Sequence, residues 1–209
     1  MAISKNGING SFSGKVGTVI GYEVGGQNII RMVGKRRKAF SEGELLNQAK
    51  MRAVSLFMAD IGPYFRVGYE SLVKKGQKIG AYQLAQSHVR KEAVVLNEAG
   101  EPVIDPAKVL IFRGGTPSPE QVHVERAGQD LFIQWSNQKS LPDVYCVVLL
   151  YSEKKGWSSF RNIGAFADLR EDHWIGAIPA VIQDPVYVYV AFRNADTAEF
   201  SNSVYAGTV

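Results

Sequence analysis

Apolar and polar positions follow three different rhythms along this 209-residue chain. In the first, short β-branched or apolar pieces are separated by glycine, at positions 7, 10, 14, 17, 21, 25, 26 and 34. So much glycine excludes a helix. Residues 16–24 and 27–33 read as two strands joined by Gly25-Gly26, a dipeptide that accepts the positive φ angles of a tight hairpin turn. Gly14, Gly17 and Gly21 fall in or before the first strand, where a missing side chain marks a bulge or the close approach of another backbone. The second rhythm is helical. Ser41-Glu42-Gly43-Glu44 is a capping box, in which serine and glutamate side chains satisfy free backbone N–H groups, and it predicts a helix from about residue 42 to residue 60. Leu45, Ala49, Arg52 or Ala53, Leu56 and Ala59 recur at steps of three or four, and Leu46 and Phe57 widen the apolar stripe. Gly62-Pro63 ends it, and Pro63 suits the first turn of a second helix through Tyr64, Val67, Leu72 and Val73 to a stop at Gly76. A third helix is predicted over 81–93.

From Val94 onward the period shortens. Runs rich in Val, Ile, Tyr, Phe and Trp occupy 108–113, 121–126, 130–135, 144–151, 157–163, 173–178, 186–192 and 200–205, with turn formers between them. Strands of this length and spacing predict an antiparallel β-sandwich. Strict alternation over 186–192 places Val186, Val188, Val190 and Phe192 on one face and Tyr187 and Tyr189 on the other. The predicted fold class is an α+β N-terminal region, with a glycine-rich β-hairpin and about three helices, followed by an all-β antiparallel sandwich. The boundary falls between residues 97 and 116, giving regions 1–104 and 105–209.

Composition excludes some alternatives. With 45% hydrophobic and 21% charged residues and one cysteine, neither a disordered chain nor a disulfide-stapled mini-protein fits. No run approaches the roughly 18 apolar residues that span a bilayer, and the first residues lack the apolar core of a signal peptide, so a cytoplasmic chain with no membrane span is expected. Charge adds an asymmetry. Residues 1–91 carry 15 Lys or Arg against 5 Asp or Glu, whereas residues 92–209 carry 9 against 15, within an overall charge of +4. The basic half either seeks an anionic partner or the acidic surface of a protein, or is neutralised by the acidic half across a contact.

Recognisable chemistry is sparse. His88, His123 and His173 fall in one predicted helix and two strands with no HxxxH or CxxC spacing, so no metal site is expected. His88 reads as a solvated helix residue and the other two as polar-face strand residues. Cys146 lies in an apolar strand, where it acts as a small hydrophobe. The segment Gly10-Ser11-Phe12-Ser13-Gly14-Lys15-Val16 lacks the spacing and the terminal Ser or Thr of a phosphate loop and leads into a strand. Ser158-Ser159 has no nucleophile-elbow context, and Glu171-Asp172, Asp105, Asp143 and Asp168 read as solvated turn carboxylates. No catalytic residue and no cofactor is therefore expected. The strongest polar feature is Arg31, Lys35, Arg36, Arg37 and Lys38, a candidate contact for an anionic partner, continued by Lys50, Arg52, Arg66, Lys74, Lys75, Lys78, Arg90 and Lys91 with Tyr64, Phe65 and Tyr69 nearby. Trp157, Trp174, Tyr187 and Tyr189 form a candidate aromatic surface, although such residues also fill cores.

Two resemblances add to this reading. The run Leu131-Phe132-Ile133-Gln134-Trp135, with residues 186–194 and Ser201-Asn202-Ser203-Val204, resembles strands of fibronectin type III or immunoglobulin-like domains, which implies a fibronectin-like sandwich without a disulfide. The whole chain resembles a bacterial family of uncharacterised proteins of similar length. That match is carried by residues 7–21, with Gly10-Ser11-Phe12-Ser13-Gly14-Lys15-Val16-Gly17-Thr18-Val19-Ile20-Gly21 at its centre, by Arg31, by Leu46-Asn47-Gln48-Ala49-Lys50, and by residues 188–192 and 201–205. The N-terminal pattern is also similar to small proteins of phage and prophage regions, which implies a virion-associated or assembly role. The expected function is that of a non-enzymatic interaction or structural protein, self-assembling or partner-binding through its N-terminal region; nucleic-acid binding through the basic half is the alternative.

Overall fold

The computed structural model describes residues 3–4, 10–34, 39–74, 76, 78–136, 143–152, 154, 156–166, 170–176 and 178–209, with the backbone alone at Ser4 and over 161–176. The chain divides into two compact units, Met1–Glu42 and Gly43–Val209.

In the first unit four strands, β1 (Ile3–Ser4), β2 (Phe12–Val16), β3 (Val19–Val24) and β4 (Gln27–Met32), form one antiparallel sheet in chain order. The predicted hairpin is β3–β4. Its turn is Gly25-Gly26 with φ of 58° and 74°, a left-handed pair that a side chain would strain.

The second unit begins with three helices, α1 (Glu42–Ala59), α2 (Gly62–Gly68) and α3 (Ala81–Glu92), and a short hairpin, β5 (Val94–Leu96) with β6 (Pro102–Ile104). Seven longer strands follow: β7 (Glu120–Ala127), β8 (Asp130–Ser136), β9 (Val144–Ser152), β10 (Trp157–Phe166), β11 (Arg170–Gly176), β12 (Tyr187–Asn194) and β13 (Val204–Thr208). They make a three-stranded antiparallel sheet, β11-β8-β7, and a four-stranded one, β10-β9-β12-β13. Alternation decides what each strand faces. From β8, Leu131, Ile133 and Trp135 meet Cys146, Val148 and Leu150 of β9 and Val188, Val190 and Phe192 of β12 in a core between the two sheets. The intervening residues of the same strands, Val147, Leu149, Tyr151, Tyr189 and Ala191, join Phe57, Met58, Ile61 and Phe65 of the helical segment in a second core. The central strand β9 is apolar on both faces because both are covered.

Several expectations shift. On α1 the buried residues are Val54, Phe57 and Met58, continued by Ile61, whereas Leu45 and Leu56 are exposed. The true stripe follows the bulkier residues that reach the sheet. The second helix stops at Gly68, not Gly76, because residues 111–113 cross directly over it. A Cβ on Gly68 would collide with the Ile111 carbonyl oxygen and lie 2.9 Å from Phe112 Cα. Residues 108–113 are no strand. Val109, Ile111 and Phe112 are buried, and the Ile111 N–H donates to Ser203 Oγ (2.9 Å) while the Ser203 N–H donates to the Phe112 carbonyl (2.9 Å). The last strand starts at Val204, since Phe200 and Ser201 are held by single bridges to Arg193 and Thr116. Around residues 97–104 the expected turn lies inside the β5–β6 hairpin, and the helices on one side of it share a core with the sheet strands on the other. By contacts the chain divides at Glu42/Gly43, and a strand covered on both faces ties the helices to the body.

Candidate interaction surfaces

The N-terminal sheet has two unlike faces. Pairing of Val16 with Val19 and of Val19 with Met32 sets three apolar side chains in a row, and the adjacent row is Gly14, Gly21 and Ile30. Gly21 is the floor of this face. Its Cβ would meet the Phe12 carbonyl oxygen at 2.5 Å and the Phe12 ring at 2.7 Å, so glycine here admits the close backbone approach that the glycine spacing suggested. Gly21 is also the single buried residue of this unit among those described. Val16, Ile30 and Met32 remain 55%, 64% and 74% exposed. The opposite face carries the paired Lys15, Ile20 and Arg31, and the Arg31 guanidinium lies 5.7 Å from the centre of the Tyr22 ring. β4 is an edge strand of the sheet.

Of the anionic-partner candidates, Arg31 is exposed on this second face, and Lys35, Arg36, Arg37 and Lys38 lie outside the described residues. The aromatic candidates do not form one surface. Tyr189 is fully buried, its hydroxyl donating to the Pro106 carbonyl (3.0 Å), because the face it shares with Tyr187 is covered by the helical segment and the turn at Pro106–Lys108. Tyr187 is half-buried beside Tyr151 and Tyr205. Trp157 is half-buried against the core between the sheets, and the side chain of Trp174 lies outside the described residues. Packing on both faces of the four-stranded sheet thus replaces the expected platform.

Burial pushes the Cys146 thiol well above its ordinary range, leaving a small hydrophobe of the inter-sheet core and no accessible thiolate. Burial raises the Tyr69 and Tyr189 hydroxyls likewise. His123 is exposed, 3.0 Å from a Glu125 oxygen, as expected for a polar strand face; the side chain of His173 lies outside the described residues. His88 differs from its expected solvated state: it is half-buried, with Nδ1 shut off from solvent and without a hydrogen-bond partner among the described residues. Among the described residues no three His, Cys, Asp or Glu side chains group as metal ligands, and no helix is long and apolar enough to cross a membrane.

What sequence reasoning missed is the latch that holds the body together. Ser203 Oγ accepts the Ile111 N–H, Ser201 Oγ accepts the Phe192 N–H (2.9 Å), Asn202 Oδ1 accepts the Gly114 N–H (3.4 Å) and Glu199 Oε1 accepts the Gly115 N–H (2.9 Å). The sequence carries no signal for it, and the polar run Ser201-Asn202-Ser203 was expected in a strand.

Fold and surfaces together define a sheet-rich mixed protein of three helices and several antiparallel sheets, with an exposed glycine-floored sheet at its N-terminus. The chain belongs to a family of unknown function, DUF6266, whose model matches residues 11–207. No curated protein matches it. Among solved structures it is similar to a family 76 glycoside hydrolase from a bovine Bacteroides thetaiotaomicron strain, at 10% identity and a TM-score of 0.37, over 44% of this chain and 20% of that one. The chain spans about a fifth of that enzyme, and a likeness so partial bears on neither fold nor activity.

Proposed function

We propose that this protein is a non-enzymatic interaction or structural protein that associates through its N-terminal sheet and displays the body as a sandwich module. The observation that carries the reading is the apolar face of Val16, Val19, Ile30 and Met32, open on a sheet whose own unit buries Gly21 alone among the described residues. A sheet this small needs a covered hydrophobic face to be stable by itself, and exposed apolar patches of this kind mark sites of association. The edge strand β4 adds backbone groups to which another strand can be joined. The three-plus-four strand arrangement, with Trp135 buried edge-to-face against Phe192 at 6.2 Å, supports reading the body as a fibronectin type III-like sandwich backed by helices. A second copy of the chain is the simplest partner, and a virion or other large assembly would offer many.

Light scattering coupled to size exclusion tests this. The wild-type chain is expected to form oligomers whose mass is insensitive to salt, and Ile30→Asp with Met32→Asp to return it to a monomer. A wild-type chain that stays monomeric at high concentration and captures no host protein sinks the reading.

A nucleic-acid partner is the second reading, favoured by Arg31 stacked beside Tyr22 with Lys15 on the same face. It requires affinity that falls steeply with salt, and Arg31→Gln should lower the salt slope by about 1. A flat salt response removes it.

A further inference from the structure

A hollow of about 470 Å³ in the body lies along one side of α3, where Ser87, His88, Lys91 and Glu92 are brought together by their three- and four-residue spacing. Tyr69 and Arg113 close it from the opposite side. Both are held by backbone. The Tyr69 hydroxyl donates to the Leu110 carbonyl (3.0 Å), and the Arg113 N–H donates to the Gly68 carbonyl (3.0 Å), at the crossing that only a glycine at position 68 permits. A second hollow of similar volume shares Ser87 and Lys91 and adds Lys50 and Arg90, so four cations line the pair against the single carboxylate of Glu92. Among the described residues no carboxylate forms a salt bridge with Lys91 or Arg113.

His88 sharpens the chemistry. Its buried Nδ1 has no hydrogen-bond partner among the described residues, and a buried bare lone pair costs less than an orphaned N–H, so the neutral ring carries its proton on Nε2. Burial and then the Arg113 charge lower its pKa against the opposing Glu92, which favours the neutral ring, and Nε2–H is then a donor. Two cations, a serine hydroxyl and an imidazole N–H are complementary to an oxyanion with several acceptor oxygens. The aromatic ring of Tyr69 supplies an apolar wall, and Glu92 can accept from a ligand hydroxyl.

We propose that this hollow is a binding site for a phosphate-bearing small molecule, held at its phosphate by Arg113, Lys91, Ser87 and the His88 Nε2–H. The site is independent of association through the N-terminal sheet. Its test is a titration of the full-length chain with inorganic phosphate, and separately with a short single-stranded oligonucleotide, followed by two-dimensional NMR at constant ionic strength in phosphate-free buffer. Inorganic phosphate is expected to produce saturable shifts centred on Ser87, His88, Lys91 and Arg113. Arg113→Gln should weaken binding by about tenfold, and Lys91→Gln should weaken it in the same direction. Each variant's unshifted signals report that the fold is retained, and Lys91→Gln, at an exposed helix position, carries the test should Arg113→Gln disturb its loop. The proposal is overturned by the absence of saturable shifts at these residues, or by equal affinity in the wild type and both variants. Shifts at these residues produced by the oligonucleotide and not by phosphate also overturn it, in favour of a nucleic-acid contact.

Discussion

Both units of this chain contain antiparallel sheet, yet they are stabilised differently. In the body, β9 and β12 lie between two cores, and the ladder that joins them runs without a break from Tyr187↔Tyr151 to Asn194↔Val144. In the N-terminal unit a four-stranded sheet has one buried residue among those described, and it is a glycine. Strand propensity and turn chemistry can define a sheet in both cases, but burial of apolar surface supplies most of the folding free energy, and among the described residues only the body has fully buried apolar side chains. The contrast implies that the body is the more stable scaffold, and that under the proposed association the N-terminal sheet would draw stability from its partner.

That comparison can be broken most forcefully in the inter-sheet core. Trp135→Ala removes a fully buried ring and should cost about 3–5 kcal/mol in a urea unfolding experiment, while Ile30→Ala on the N-terminal sheet should stay within about 0.5 kcal/mol. Comparable losses at the two sites would contradict the division. A smaller effect is expected at the latch. Ser203→Ala leaves the buried Ile111 amide without its acceptor and should cost about 1–3 kcal/mol, read in the same way. A neutral result there would mean that the crossing of residues 111–113 is held by packing alone.

The smallest effect is a pH dependence. Burial first, then the Arg113 charge, lowers the pKa of His88 from its ordinary 6.5, with Glu92 opposing. The folded protein therefore binds fewer protons than the unfolded chain between that lowered value and 6.5. The contribution is fully present above pH 6.5 and is lost as the pH falls through this window. Urea midpoints of the wild type and His88→Asn, compared across this range in phosphate-free buffer, should converge as the pH is lowered.

Much of this was legible before any coordinates. The glycine spacing marked the β3–β4 turn and the close approach at Gly21, and hydrophobic period placed three helices and six of the seven strands of the two larger sheets in chain order, while the run at 108–113 is no strand and that at 200–205 overlaps the last strand only at its end. The alternation of Val188, Val190 and Phe192 with Tyr187 and Tyr189 was also correct, but its consequence was not drawn. A run such as Cys146-Val147-Val148-Leu149-Leu150-Tyr151 is apolar on both faces, and such a strand needs cover on both. That cover is the helical segment, which places Tyr189 in a core instead of on a surface. The Ser203 latch and the hollow beside α3 escaped for a different reason. They join residues such as Gly68, Arg113 and Ser203 that stand far apart in the chain and leave no periodic mark.

Hydrogen exchange of the full-length chain tests the central claim most directly, measured at low concentration and again at the high concentration where the proposed association is expected. Amides of β9 and β12 should be protected at both, whereas those of β3 and β4 should exchange quickly at low concentration and slow down on association. Slow exchange of β3 and β4 at low concentration would show that the N-terminal sheet stands by its own interactions, and would contradict the account.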